Sequence, residues 1–367
     1  MIIDLVYGTR PNLIKAAALY LAWQEKRDVM PFALRLIDTG QHWDPTLSDG
    51  LRVALGLPAP HYRLGIGQAG IDRPAIIAKA SAAYCTILRK SPAHATIVIG
   101  DVNGSLGIAK AVKSAPNDKM SLIHLEAGLR GGFDAIAEET NRIKIDALCD
   151  IHWAPDTSSV ENLLAEGGTA NHIHQVGNIV IDAMVRFGGQ KIEKSSLHKG
   201  NGPVLLTLHR AENIDDIVRL SSIIEAIITL SKNTKIIWPL HPRAQDALAQ
   251  SGLWRRIRDT ANIQISAPML YPAFLNALAD CACVITDSGG IIDECAWLGK
   301  PGCILRPTTE RAATLRASGL RLCEPANLEQ TAIDLINNPD PPAPYRPEYW
   351  DGKAADRMLQ TLMMLAR

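Results

Sequence analysis

The chain has 367 residues and is 47% hydrophobic, which is enough for two domains with a core each. Its 38 Lys and Arg balance 38 Asp and Glu, so the formal net charge is zero. That balance argues against a broad nucleic-acid surface, though not against a local basic pocket for a small anion. No apolar run approaches the roughly 20 residues of a membrane span. Met1-Ile2-Ile3-Asp4-Leu5 enters a strand pattern without the basic stretch of a signal peptide, so a cytoplasmic location is expected.

Along the chain, short β-branched runs bounded by Gly, Asp or Pro alternate with longer Ala/Leu/Lys segments. In the first half the pattern predicts strands at Ile2–Tyr7, Leu34–Asp38, Thr96–Ile99, Ser121–Leu125 and Ile151–Ala154. Continuous apolar runs of this kind are the mark of buried parallel strands, and the alternation with helices implies a doubly wound α/β domain. In such domains ligands meet the loops after the strands. Gly8-Thr9-Arg10-Pro11 follows the first strand, with Pro11 suited to a first helical turn. Arg10 is placed to face a ligand and Lys15 lies about one turn further on. Gly100-Asp101-Val102-Asn103 follows the third strand. Asp101 either caps the next helix, the commoner use, or faces the ligand as a base. Glu126, in His124-Leu125-Glu126-Ala127-Gly128-Leu129-Arg130, ends an apolar strand. Desolvation there would raise a carboxyl into acid/base range, and Arg130 is its plain structural partner. Glu138-Glu139-x-Asn141-Arg142 opens a helix, where acidic residues are commonplace.

The polar, Gly/Lys/Ser-rich stretch within 177–202 marks a boundary. Beyond it, strands are predicted at Val204–Thr207, Lys235–Trp238, Ile263–Ile265, Val284–Thr286 and Gly302–Leu305. His209 and Arg210 follow the first of these, and His241 follows the second. Thr286-Asp287-Ser288-Gly289-Gly290 joins a strand to the helix-like run Ile291 to Leu298. A Ser-Gly-Gly turn there leaves backbone N–H groups unpaired at the positive end of the helix dipole, which suits a phosphate. Glu294 stands one turn above it, as either a ribose acceptor or a helix-surface Glu. Thr308-Thr309-Glu310-Arg311 follows the last of these strands. After a proline-rich break at Asn337–Pro347 comes an amphipathic helix, Ala354–Leu365. The seven cysteines lack a Cys-x-x-Cys and sit mostly in apolar surroundings, as buried thiols do. His172 and His174 have no carboxylate or thiol partner at ligand spacing, so no metal site is assigned.

Taken together, GTRPNLIK (8–15), DTGQH (38–42), GDVN (100–103), HLEAGLR (124–130), EETNR (138–142), VGNIVID (176–182), TLHRAEN (207–213), PLHP (239–242), TDSGG (286–290), GKP (299–301) and TTER (308–311) resemble the UDP-N-acetylglucosamine 2-epimerase family of the bacterial and archaeal, non-hydrolysing type. The resemblance runs in order over some 300 residues. It implies a GT-B-like fold of two Rossmann-like, doubly wound domains with an interdomain cleft. Residues 1–180 would form the sugar and catalytic domain, with a C-terminal helix, 350–367, packing back on it. Residues 181–349 would form the UDP-binding domain. The family's acidic catalytic residues map to Asp101, Glu126 and Glu138, with His209 beside them. Arg10, Lys15, Arg142, Arg210, His241, Ser288, Gly289, Gly290, Glu294 and Arg311 would bind the substrate.

The resemblance further implies anti elimination of UDP across C1–C2 of the sugar, giving a glycal, and re-addition after protonation on the opposite face of C2. The leaving group is part of the substrate, so no cofactor such as NAD is required, and a homodimer is expected. Three positions depart from the family pattern. Gly104 stands where Ser or Thr is usual, and Ala137 where Pro is usual. Asp44 stands where many bacterial members have a Gln in a loop that holds a second, activating substrate molecule, which puts that second site in question. A hydrolysing 2-epimerase would share these motifs; further alternatives are a GT-B glycosyltransferase, which would keep the diphosphate turn without needing the three acidic residues, and a non-catalytic nucleotide-sugar binding protein, which would be expected to lack at least one of them.

Overall fold

The computed structural model of the chain describes residues 1–41, 45–68, 70–116, 120–131, 137–195, 202–338, 340 and 342–366. Asp44 lies outside the described residues. The chain divides into two units, Met1–Arg186 with Pro347–Arg367, and Phe187–Arg346.

The first unit carries strands β1 (Ile2–Tyr7), β2 (Ala33–Asp38), β3 (Tyr62–Arg63), β4 (Ala95–Ile99), β5 (Ser121–Leu125), β6 (Ile151–Ala154) and β7 (Ile173–Gln175). They form one parallel sheet in the order β3-β2-β1-β4-β5-β6-β7. The second carries β8 (Val204–Thr207), β9 (Ile236–Pro239), β10 (Ile263–Ser266), β11 (Cys283–Thr286), β12 (Gly302–Ile304) and β13 (Leu320–Leu322), in the parallel order β10-β9-β8-β11-β12-β13. Both orders reverse direction once, between β1 and β4 and between β8 and β11. At such a reversal, flanking loops diverge and leave a crevice beyond the strand C-termini.

The apolar strand runs are buried on both faces, as in β4, where Ile97, Val98 and Ile99 are fully covered. Three strands were not predicted: β3, β7 and β13. Each has two or three residues and lies at a sheet edge. An edge strand packs on one neighbour only, so Arg63, His174 and Arg321 are tolerated and no apolar run marks them. The one charged residue inside β1, Asp4, is buried and pairs with Arg35 at 2.5 and 2.9 Å and with the Tyr84 hydroxyl at 2.6 Å.

The last helix, Ala354–Leu365, packs on helix Arg10–Glu25 of the first unit. Its buried stripe is Ala355, Met358, Leu359 and Leu362. Lys353 at its N-cap makes no side-chain cap. The cap comes instead from Asp182, which accepts from Ala354 N at 3.1 Å and Ala355 N at 2.8 Å. The Trp153 indole on β6 donates to Thr361 of the same helix at 2.9 Å.

Candidate active site

At the first reversal, β1 delivers Arg10, β4 delivers Asp101 and the neighbouring β5 delivers Glu126. Arg10 opens its helix at the strand end, with Pro11 in the first turn, and burial draws its guanidinium below the ordinary range. Glu126 is buried and has a backbone φ of 73°. That left-handed conformation is costly for a residue with a Cβ and is typical of functional positions. Its Oε2 forms an ion pair with Lys15 Nζ, and both side chains are buried. Arg130, the partner expected from sequence, points elsewhere: it forks onto Glu166 at 2.6 and 2.8 Å and meets Asp146 at 2.8 Å. Sequence spacing favoured Arg130. Lys15 reaches Glu126 because β1 and β5 flank β4 and the helix after β1 packs on β4 between them.

Asp101 does not cap the following helix, whose N-cap is Val102 without a side-chain cap. Its carboxylate pairs with Arg142, which also holds Glu139 at 2.6 Å. Its carbonyl accepts from Asn141 at 2.8 Å. Glu139 is buried and accepts from Gly131 N at 2.9 Å, whereas Glu138, one residue earlier, is exposed. Beneath the Gly100 turn, His124 places one ring nitrogen 3.0 Å from Gly100 O and the other 2.6 Å from Asp146. Burial works against charge on Asp146, but His124 and Arg130 overcome it and hold the carboxyl below its ordinary value.

At the second reversal, one buried carboxylate ties the two diverging loops together. Asp287, after β11, accepts from His209 N at 3.0 and 3.2 Å, Arg210 N at 2.9 Å and Asn213 Nδ2 at 3.2 Å, and meets His209 Nδ1 at 2.9 Å. Burial alone would raise this carboxyl. The His209 contact and the backbone donors outweigh burial and lower it. The His209 ring lies 6.3 Å from that of His241, which caps helix Pro242–Gln250 by accepting from Arg243 N.

Ser288 N donates to Thr286 Oγ1 at 3.0 Å, so that N–H belongs to the turn itself. Helix Gly290–Leu298 starts at Gly289 with no side-chain cap. A Cβ on Gly290 would enter open space, whereas one on Gly289 would strike Glu310 and Arg306. Glu294 is not a helix-surface residue. It is buried and accepts from the Tyr271 hydroxyl at 2.6 Å. Burial and the Glu294 charge push that phenol well above its ordinary range. Arg311 lies 3.0 Å from Asp293, which is wholly buried on the same helix.

Residues 24–363 match the profile of the UDP-N-acetylglucosamine 2-epimerase family. The chain belongs to this family. It is 33% identical over 308 residues to the UDP-2,3-diacetamido-2,3-dideoxy-D-glucuronate 2-epimerase of Pseudomonas aeruginosa, covering 83% of each chain. It is 33% identical over 324 residues to the UDP-N-acetylglucosamine 2-epimerase of Methanococcus maripaludis, covering 85% of each. The crystal structure of the Methanocaldococcus jannaschii UDP-GlcNAc 2-epimerase in complex with UDP-GlcNAc and UDP superposes with a TM-score of 0.86 at 28% identity, over 99% of this chain and 100% of that one. The fold is accordingly GT-B-like, with two Rossmann-like domains.

Within this epimerase fold, the two strand-end clusters contain residues that sequence reasoning did not single out. Asp287, Asp293, Glu139 and Tyr271 are buried polar groups that organise the clusters. Asp287 stood in plain view inside the TDSGG segment, and its place directly after an apolar strand is the signal Glu126 also carried. Tyr271 gave no such signal, because only folding brings it to Glu294.

Proposed function

We propose that this epimerase interconverts UDP-N-acetylglucosamine, or a close derivative modified at C3 or C6 of the sugar, with its C2 epimer. The observation that carries the reading is a pair of dissimilar strand-end clusters. At the first reversal Asp101 and Glu126 are each paired with a cation, and after β11 in the other domain a Ser-Gly-Gly turn opens a helix with no side-chain cap. The C2–H of the sugar is not acidic, so a stepwise deprotonation is excluded. In the elimination, a carboxylate takes the C2 proton as the C1–O bond to UDP breaks, leaving a C1=C2 glycal and UDP. In the return step a proton is delivered to the opposite face of C2, and the diphosphate oxygen rebonds to C1.

Asp101, Glu126 and Glu138 are the proposed acids and bases, with Lys15 and Arg142 fixing the first two carboxylates. Ser288, Gly289 and Gly290 would hold the diphosphate and Glu294 the ribose. Arg10, Arg210, His241 and Arg311 would complete the binding set, with His209 as a further catalytic residue. Donors aimed at charge developing on a leaving group are worth about 3–4 kcal/mol each. The resemblance also carries the proposal of a cytoplasmic homodimer.

The two 33% relatives differ in the sugar their names specify, so both sugars belong in the test. The chain is incubated in D₂O with UDP-N-acetylglucosamine and with UDP-2,3-diacetamido-2,3-dideoxy-D-glucuronate, and products are followed by NMR. The expected result is a C2 epimer of at least one, deuterated at C2, with traces of glycal and free UDP. No epimer from either would defeat the proposal. Stoichiometric release of free sugar, with solvent ¹⁸O at C1, would mark the hydrolysing reaction instead.

A further inference from the structure

Arg306 follows β12, the strand beside β11, and lies under the Ser288–Gly290 turn. Its side chain is 4% exposed. Nη2 donates to Glu310 Oε2 at 3.0 Å. Nη1 is buried and meets no hydrogen-bond acceptor among the described residues. Folded proteins match nearly all such donors, and a guanidinium stays charged at any ordinary pH.

The position of this atom is informative. A Cβ built on Gly289 would fall 2.9 Å from Arg306 Nη1 and 2.6 Å from Glu310 Oε1. The unmatched donor therefore abuts the N-cap of helix Gly290–Leu298, which has nine residues and no side-chain cap. Two independent sources of positive potential converge on one spot: an uncapped helix N-terminus and a buried cation with a spare N–H. Glycine at 289 is what lets the guanidinium come this close to the main chain.

We infer that Arg306 is a further binding residue of this site. Its Nη1 donates to a phosphate oxygen of a nucleoside diphosphate seated on the Ser288–Gly290 turn. Glu310 positions the guanidinium by holding Nη2. This rests on the nucleotide-sugar reading above and adds to it the group that discriminates diphosphate from bare nucleoside. Sequence pattern could not single it out, because Arg306 stands between Leu305 and Pro307, ahead of the TTER segment.

The test compares binding of UDP and of uridine, by calorimetry and ligand-observed NMR, in the intact chain, Arg306→Gln and Glu310→Gln. The intact chain should prefer UDP strongly. Arg306→Gln should weaken UDP by about 10- to 100-fold, the range for losing a charged hydrogen bond, and leave uridine unchanged. Glu310→Gln keeps the guanidinium but loses the carboxylate that positions it, so UDP should weaken severalfold while uridine is unchanged. Unchanged UDP affinity in a folded Arg306→Gln chain, or equal losses for UDP and uridine, would overturn the inference. Should Arg306→Gln fail to fold, unchanged UDP affinity in Glu310→Gln overturns it as well. An intact chain without preference for UDP over uridine would instead defeat the nucleotide reading itself.

Discussion

Glu126 combines three burdens in one residue: a positive φ, burial, and a charge paired with buried Lys15. The backbone conformation alone costs on the order of 1–3 kcal/mol. Gly100 adopts a similar φ of 60° on the adjacent strand end without the cost of a Cβ. Glu126→Gln should therefore cut turnover by about 10²–10⁴ while leaving UDP affinity within a few fold, read by steady-state kinetics and calorimetry. It should also lower stability by up to about 3 kcal/mol, because Lys15 stays buried opposite a neutral group. Wild-type turnover would remove Glu126 from the chemistry. The paired glycines separate in the same way. Gly290→Ala points a methyl into open space, so the fold should persist while UDP binding weakens. Gly289→Ala drives a methyl into Arg306 and Glu310, so thermal stability should fall too. Equal melting temperatures for the two variants would contradict this division.

Between elements, the same device recurs: a buried carboxylate captures backbone N–H groups of a distant segment. Asp287 does so for the loop after β8, and Asp182 for the first turn of helix Ala354–Leu365. Their electrostatics differ in sign. Asp287 is lowered by its His209 contact and backbone donors against the pull of burial, so its contribution is present above the ordinary carboxylate value and lost as acid protonates it. Burial raises Asp182 to about 6 against the opposing pull of its two backbone donors. Between the ordinary value near 4 and that pKa, the folded chain keeps a proton the unfolded chain has released. Its stability contribution thus falls as pH rises through that window and is flat above it. Asp182→Asn should remove this slope. From pH 4 to pH 7 the stability difference should shift toward the Asn variant by about 2–3 kcal/mol, measured by denaturant unfolding. A constant difference across that range would show that the helix dipole and backbone donors cancel the burial cost.

At the scale of the whole molecule, the chain builds two parallel sheets with the same core order and a reversal in each. In the first unit the C-terminal segment, 347–367, completes a structure begun at residue 1. Trp350 and Trp153 are both buried at that closure, their indoles bonded to Pro155 O and Thr361. The chain passes from one unit to the other inside helix Ile179–Ser195, which is kinked at Gly189. Among the described residues no helix is long and apolar enough to cross a membrane.

The positions of all strands but the edge strands β3, β7 and β13, the helix Ala354–Leu365 and the clustering of polar segments after strands could be read from the chain alone. Each rests on local physics: apolar runs for buried parallel strands, helical spacing for amphipathic faces, glycine where a turn needs it. Motif order added the family. What folding alone decided was partnership. Lys15 with Glu126, Arg142 between Asp101 and Glu139, Tyr271 with Glu294 and Asp182 with Ala355 are separated by 111, 41, 23 and 173 residues, or by only three in the case of Arg142 and Glu139. Charge pairs form wherever desolvation makes an unmatched ion costly, and that depends on which strand ends the sheet order brings together. A sequence shows which ions must be matched, and only the side-by-side placement of β1, β4 and β5 shows by what.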